Sequence, residues 1–323
     1  MSARRVIFNF LLVFGLLLAA YLLYRVFSRY TFDEVLQSVR QISSWRLVSG
    51  VAFCALSYLC LTGFDWMALQ YVGRPLTYPK AAVASFTALA IGHNLGVAAL
   101  SSGAVRYRYY TRWGLNAEEV AKVVLFCGVT VMLGLSALGS IVCLINPTDV
   151  SKLLGVNAGD PLWIGLGVLS LPVTYVVLSA TVRSPLQLWK WRFAMPNTSL
   201  AIGQIVIGTL NFSFVAACLH QVLASEAPVS FVQSATAFVL ANVAILVAHV
   251  PGGLGVLEAT VTTVLPGAAS IGGLVAFRVI YFLLPLLLGL PVFAISELII
   301  GSGKKTHLDK GSKKPPQPQA QLL

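Results

Sequence analysis

Residues 81–112 read AAVASFTALAIGHNLGVAALSSGAVRYRYYTR, and the reading of this stretch decides the fold. Its apolar part, Ala81 to Gly103, is long enough for one helical crossing, which takes about 20 apolar residues. It is interrupted at Gly92-His93-Asn94 and again at Ser101-Ser102-Gly103, then runs straight into Arg106, Arg108 and Arg112. Lys and Arg of membrane proteins gather on the cytoplasmic face. If every apolar run crossed once from a cytoplasmic N-terminus, the Arg106–Arg112 loop would lie outside. If Ala81–Gly103 instead enters and leaves on the cytoplasmic side, the rule is satisfied.

The runs on either side fit that frame. Val6 to Phe27, behind Arg4 and Arg5, reads as an uncleaved first span, because no small-residue cleavage site follows it. Thr31 with Glu34 is a capping-box pattern, and Phe32, Val35, Leu36, Val39 and Ile42 share one helical face, so residues 28–46 are expected as an amphipathic helix in the interface. Further spans run from Leu47 to Tyr71, from Asn116 (capped by Glu119) to Leu144, from Asp160-Pro161 to Thr181, and from Ser199 to Leu223. Phe231 to Val250 is halted by Pro251-Gly252-Gly253-Leu254-Gly255, and a short apolar stretch with Glu258 ends at Pro266. The last span is Gly273 to Ile300.

Several basic residues mark the Arg106–Arg112 loop, the Arg183–Arg192 loop and the Lys304–Lys314 tail, whereas the Asp149–Asp160 and Glu226 loops are acidic or nearly neutral. For the tail to stay inside, residues 231–266 must also enter and leave on one side, opposite to 81–103. The expected fold is an all-α, polytopic membrane helical bundle of about six crossings plus two re-entrant elements, with the shape of an inverted repeat. Eight plain crossings are the alternative. Residues 1–300 form one integral-membrane domain, and 301–323 read as a disordered basic tail.

Composition excludes other classes. Of 323 residues, 57% are hydrophobic and only 10% charged, with a mean hydropathy of +0.83, whereas a soluble domain runs near 25% charged. Twenty-two Lys and Arg against 11 Asp and Glu give a net charge of +11. In a membrane protein that excess follows the positive-inside rule, so no nucleic-acid partner is expected. The five cysteines lack CxxC spacing and read as buried small hydrophobes. No metal-ligand spacing and no nucleotide loop is present, so no metal and no cofactor are expected.

Asp65, Arg106 and Glu258 are ionisable groups at or near membrane depth, where each costs about 2.5–3.5 kcal/mol on insertion scales. Together with Ser102, Gly103, Pro251, Gly252, Gly253 and Gly255 at the chain breaks, they make the expected lipid site. Broken helices free backbone polar groups that survive only against protein or a water-filled cavity, and a half-helix end there can hold an anionic headgroup. His93, Asn94, His249 and Arg278 are secondary candidates; Arg278 reads equally as a counter-charge for Glu258 or as an anchor. Arg108 reads as an interface anchor.

Ser102-Gly103 with Arg106-Tyr107-Arg108, Pro251 through Glu258, and Gly63-Phe64-Asp65 resemble the transmembrane region of the lysylphosphatidylglycerol synthase/flippase family, which are bacterial inner-membrane proteins. The resemblance covers the chain from the first span through Arg278. Its bifunctional members carry a cytosolic aminoacyl-transferring domain that this chain lacks, so the resemblance implies no enzyme activity here. It implies instead the movement of phospholipid with an anionic or aminoacylated headgroup between leaflets; the basic residues place both termini in the cytoplasm. The alternative is a non-transporting partner or regulator of an envelope-lipid enzyme. The oligomeric state is left open.

Overall fold

A computed structural model describes residues 32–95, 98–182, 186–188, 191–225, 227–248, 253, 255–267 and 271–311. The expected first span lies outside the described residues, as do His249, Pro251, Gly252 and residues 312–323. In chain order, α1 (Phe32–Gln41) and α2 (Ser44–Tyr71) precede a helical hairpin, α3 (Tyr78–Leu95) and α4 (Ala98–Arg112). Next come α5 (Ala117–Ile145), the short α6 (Pro147–Leu154) and α7 (Asp160–Thr181). A small antiparallel ribbon, β1 (Leu186–Leu188) and β2 (Trp191–Phe193), leads to α8 (Thr198–Leu223). A second hairpin, α9 (Phe231–Ala248) and α10 (Val256–Val264), is followed by α11 (Ile271–Arg278), a π-helical turn at Val279–Leu283, and α12 (Leu284–Gly311). The protein is an all-α polytopic bundle apart from the ribbon.

Six described helical segments are long and apolar enough to cross a membrane: α2, α5, α7, α8, α9 and the continuous run Gly272–Glu297. The sequence assigns α9 to a re-entrant element, and α10 does pack back along it. The pair is therefore a hairpin with one long arm and one short arm.

The first hairpin folds differently from its sequence reading. Gly92-His93-Asn94 lies inside α3 and Ser101-Ser102-Gly103 inside α4, so neither triplet is a break; the chain passes from one arm to the other between Leu95 and Ala98. The small residues serve close packing instead. A Cβ added to Gly92 would stand 2.8 Å from Ser102 Cβ, and Ser101 Oγ donates to the Gly92 carbonyl at 3.3 Å. Arg106 to Arg112, expected as a loop, forms the C-terminal half of α4, with Tyr109 and Tyr110 buried in the core.

Other boundaries follow local chemistry. Asn116 and Glu119 form the expected capping box: Asn116 Oδ1 accepts from the Glu119 N–H at 2.9 Å, and Glu119 Oε2 from the Asn116 N–H at 2.8 Å. Asp160 does not cap α7; it is the first helical residue after Gly159, and its Oδ2 accepts from the Asn157 N–H at 3.0 Å. The amphipathic helix is shorter than 28–46 and ends before Ser43. Its Asp33, Gln37, Arg40 and Gln41 are exposed, while Val39 and Ile42 join the core and the helix lies against α11. At the other end α12 runs through Gly311, past the Gly301 at which the sequence reading starts the tail.

The core forms where α2, α5 and α8 pack together. The crossing of α5 and α8 requires bare backbone: a Cβ on Gly134 would stand 2.3 Å from the Gly208 carbonyl carbon. Helix α7 is the outlier, with Trp163, Leu171 and Val173 on the surface, as a helix facing lipid should be.

Candidate functional site

Asp65 sits on α2 with no exposed surface. Arg106 of α4 donates to it twice, Nε to Oδ2 at 2.8 Å and Nη2 to Oδ1 at 2.6 Å, the fork geometry that suits a carboxylate. Tyr110 Oη donates to Oδ2 at 2.5 Å, and Cys127 Sγ of α5 lies 3.6 Å from Oδ1. Ser85 Oγ of α3 stands 2.9 Å from both Oδ1 and the Leu61 carbonyl, so its proton serves one of them at a time. Arg106 Nη1 donates to Ser102 Oγ at 3.0 Å. Ser102, Arg106 and Tyr110 follow at four-residue spacing, which places them on one face of α4. Carboxylate and guanidinium thus compensate each other inside the bundle, where either alone would carry a penalty of several kcal/mol.

Glu258 belongs to a separate pair. Arg278 Nε donates to Glu258 Oε1, and Arg278 Nη2 donates to Oε2 at 2.9 Å and to the Gly253 carbonyl at 3.0 Å. Glu258 Oε2 also accepts the Gly255 N–H at 2.9 Å, which satisfies an orphan donor at the start of α10. Gly253 and Gly255 have φ of +59° and +83°, and this backbone directs that N–H and that carbonyl at the pair. The Arg278 guanidinium lies 5.5 Å from the Phe282 ring centroid. Of the two readings of Arg278, the counter-charge is the one observed.

The sequence expectation of one joint cluster of Asp65, Arg106 and Glu258 is therefore corrected. No hydrogen bond or ion pair among the described residues joins the two pairs; Asp65 takes its guanidinium from α4 and Glu258 from α11. A third cluster went unforeseen. Glu297 of α12 receives Arg108 at 2.6 and 2.7 Å and Arg112 at 2.7 and 2.8 Å. Arg108 is thus a tie between α4 and α12 rather than an interface anchor.

A cavity of about 210 Å³ is lined by the second hairpin, by α2, α5, α8, α11 and the π-turn, and by one residue of the first hairpin. His93 lines it from α3, Asn242 from α9, Gly253 and Leu257 from the second hairpin's turn and short arm, and Tyr281 and Phe282 from the π-turn. Leu61 of α2, Val131 and Leu135 of α5 and Asn211 of α8 are among its other lining residues. The π-turn matters because its wider coil frees carbonyls. Cys54 Sγ donates to the Ile280 carbonyl at 3.3 Å, and Asn94 Nδ2 to that of Phe282 at 3.2 Å. The His93 ring packs 6.1 Å from Tyr281 and 6.2 Å from Tyr58. His93 Nδ1 and Tyr58 Oη are buried with no hydrogen-bond partner among the described residues. Gly103 meets only Val124 of α5 and serves packing. Pro251, Gly252 and His249 lie outside the described residues. Among the described residues no three His, Cys, Asp or Glu side chains group closely enough to hold a metal ion.

Tyr110, Ser85, Cys127, Glu297 and the two cavity asparagines escaped sequence reasoning. A signal existed for some: the Ser102–Arg106–Tyr110 spacing, and a carboxamide within each of the apolar runs 199–223 and 231–250.

Comparison with known proteins agrees with this architecture. The model of the family described as "Lysylphosphatidylglycerol synthase TM region" matches residues 12–289. The chain is 30% identical to the uncharacterized protein slr0712 of Synechocystis sp., covering 80% of this chain and 81% of that protein. It is 26% identical to the inner membrane protein YbhN of Escherichia coli K12, covering 82% of this chain and 84% of that protein. This multi-pass membrane chain belongs to the lysylphosphatidylglycerol synthase transmembrane-region family.

Proposed function

We propose that this protein binds phospholipid and moves it between the leaflets of the bacterial inner membrane, as a transporter and not as an enzyme, with both termini in the cytoplasm. One observation carries the reading: each helical hairpin supplies one charge of a compensated pair inside the bundle, Arg106 to Asp65 and Glu258 to Arg278, and residues of both hairpins line one cavity. Short helices that end inside the bundle, as in these hairpins, are where secondary transporters build their sites. With Asp65 and Glu258 each holding a guanidinium, the resting site is neutral.

An anionic headgroup that reaches Arg106 takes the place of Asp65, and Tyr110 and Ser85 remain to solvate the released carboxylate. Such an exchange avoids the several kcal/mol that an unpaired buried charge costs. The chemistry asks nothing of a cofactor. The partner is phospholipid itself.

Proteoliposomes with a short-chain fluorescent phosphatidylglycerol, read by leaflet-selective quenching, test the proposal. Exchange between leaflets should be faster than in protein-free vesicles. An unchanged rate for every native lipid tried would overturn the transport reading and leave the role of partner to an envelope-lipid enzyme.

A further inference from the structure

The cavity lined by His93 and the second hairpin offers a chemistry that the charged pairs do not, and two carboxamides define it. Asn211 of α8 is only 2% exposed, and its Oδ1 accepts from Ser57 Oγ at 2.7 Å. Ser57 Oγ stands 3.2 Å from Tyr281 Oη, and that phenol has no other acceptor among the described residues. The Tyr281 hydroxyl therefore donates to Ser57 and Ser57 to Asn211, which leaves Asn211 Nδ2 as a donor without a protein partner among the described residues.

Asn242 of α9 is the complement. Its Nδ2 donates to the Phe238 carbonyl at 2.9 Å, and only the amide nitrogen can do so. Asn242 Oδ1 is left as an acceptor, again without a protein partner among the described residues. Both residues line the cavity, whose other walls are mostly aliphatic and aromatic. Asp65, Arg106, Glu258 and Arg278 are not among its lining residues.

We infer that this cavity recognises an uncharged, hydroxyl-bearing headgroup, a glycerol or sugar polyol, through Asn211 Nδ2 and Asn242 Oδ1. A hydroxyl both accepts and donates, so a polyol satisfies the two amides together. A phosphate oxygen only accepts and is repelled by Asn242 Oδ1; an ammonium only donates and gives Asn211 Nδ2 nothing. The volume of about 210 Å³ is several times the ~30 Å³ that one water occupies in the liquid, which is room for a small polyol. An apolar wall with unmet amides rejects a ligand that lacks the matching group more strongly than it rejects a change of size. The inference rests on the lipid-binding reading above and makes hydroxyls, rather than net charge, the determinant of headgroup choice.

The test uses the full chain purified in an amine-oxide detergent, which carries no hydroxyl. Short-chain monoglycosyl-diacylglycerol, phosphatidylglycerol, phosphatidic acid and phosphatidylcholine with matched acyl chains are titrated, and binding is read by tryptophan fluorescence and thermal shift. The first two should bind about tenfold tighter than the last two, the worth of one well-made hydrogen bond. Asn242→Leu should shrink that gap to about twofold.

Phosphatidic acid binding as tightly as the glycolipid would overturn the inference. So would tight binding of phosphatidylglycerol with none of the glycolipid, since charge would then be the selector, or an unchanged gap in Asn242→Leu. If that variant does not fold, the wild-type ranking decides alone. Binding is read here without transport, so a protein that ranks the lipids this way yet moves none in vesicles supports the cavity assignment while overturning the transport reading.

Discussion

Asp65 and Arg106, on α2 and α4, hold each other through two hydrogen bonds, with side chains 0% and 3% exposed. Removing one charge strands the other in the bundle, at a cost of about 3–5 kcal/mol. Asp65→Asn and Arg106→Gln should therefore lower the melting temperature in detergent as well as lipid movement. The double variant Asp65→Asn/Arg106→Gln should recover most of the stability, because no lone charge remains, yet recover no transport. Thermal melts of the three variants beside a leaflet assay check this. A double variant as unstable as either single one would show that the pair is not coupled in this way.

The tie at Glu297 predicts an asymmetry. Arg108 and Arg112 are each more than a quarter exposed while Glu297 is 6% exposed, so the arginines share one buried carboxylate. Arg108→Gln or Arg112→Gln alone leaves Glu297 one partner and should cost about 1 kcal/mol or less. Glu297→Gln removes the acceptor charge for both and should cost about 2 kcal/mol, as lost hydrogen bonds to charged groups do. Denaturation melts of the three variants give the order. Equal losses would mean the arginines do not depend on Glu297.

What could be read from the sequence, and what could not, divides along physical lines. Apolar runs of bilayer length and ionisable residues within them are visible singly, so the polytopic bundle and the candidates Asp65, Arg106, Glu258 and Arg278 could be named in advance. Which charge meets which could not, because pairing depends on helix packing across separations such as that from residue 65 to residue 106. Ser101-Ser102-Gly103 shows the other limit: small residues permit a turn and permit close helix contact equally, and only the neighbour at Gly92 decides. Glu297 stood near the end of an apolar run, where a carboxylate reads as an ordinary boundary group. Asn211 and Asn242 looked like isolated polar residues until the fold turned both towards one cavity.

The backbone at the second hairpin predicts a local intolerance. Gly253 has φ of +59°, and a Cβ there would lie 2.5 Å from Ile245 Cδ1. Gly253→Ala combines a left-handed strain with a steric clash and should cost about 1–3 kcal/mol. Ile245→Ala in the same chain should remove the clash but not the strain, giving partial recovery of the melting temperature. Full recovery would locate the whole cost in side-chain overlap.

The pair of Glu258 and Arg278 makes the most discriminating prediction, because each partner has a second bond that its charge does not explain. Glu258 accepts the Gly255 N–H, and Arg278 donates to the Gly253 carbonyl. Glu258→Gln keeps an oxygen for Gly255 but leaves Arg278 without its counter-charge, so it should weaken both stability and lipid movement. Exchanging the residues, Glu258→Arg with Arg278→Glu, restores the opposite charges in reversed positions. If attraction between the charges were all that mattered, the exchange would recover the wild type. Here it should not. An arginine at 258 cannot accept from Gly255, and a glutamate at 278 would turn its oxygens on the Gly253 carbonyl. Two backbone groups would be left unmet at the start of α10, each costing about 1–3 kcal/mol when buried. The exchanged protein should therefore melt no higher than Glu258→Gln, with hydrogen exchange raised at Gly255 and through Val256–Val264. Recovery of wild-type stability and protection by the exchange would reduce Glu258 to a simple counter-ion.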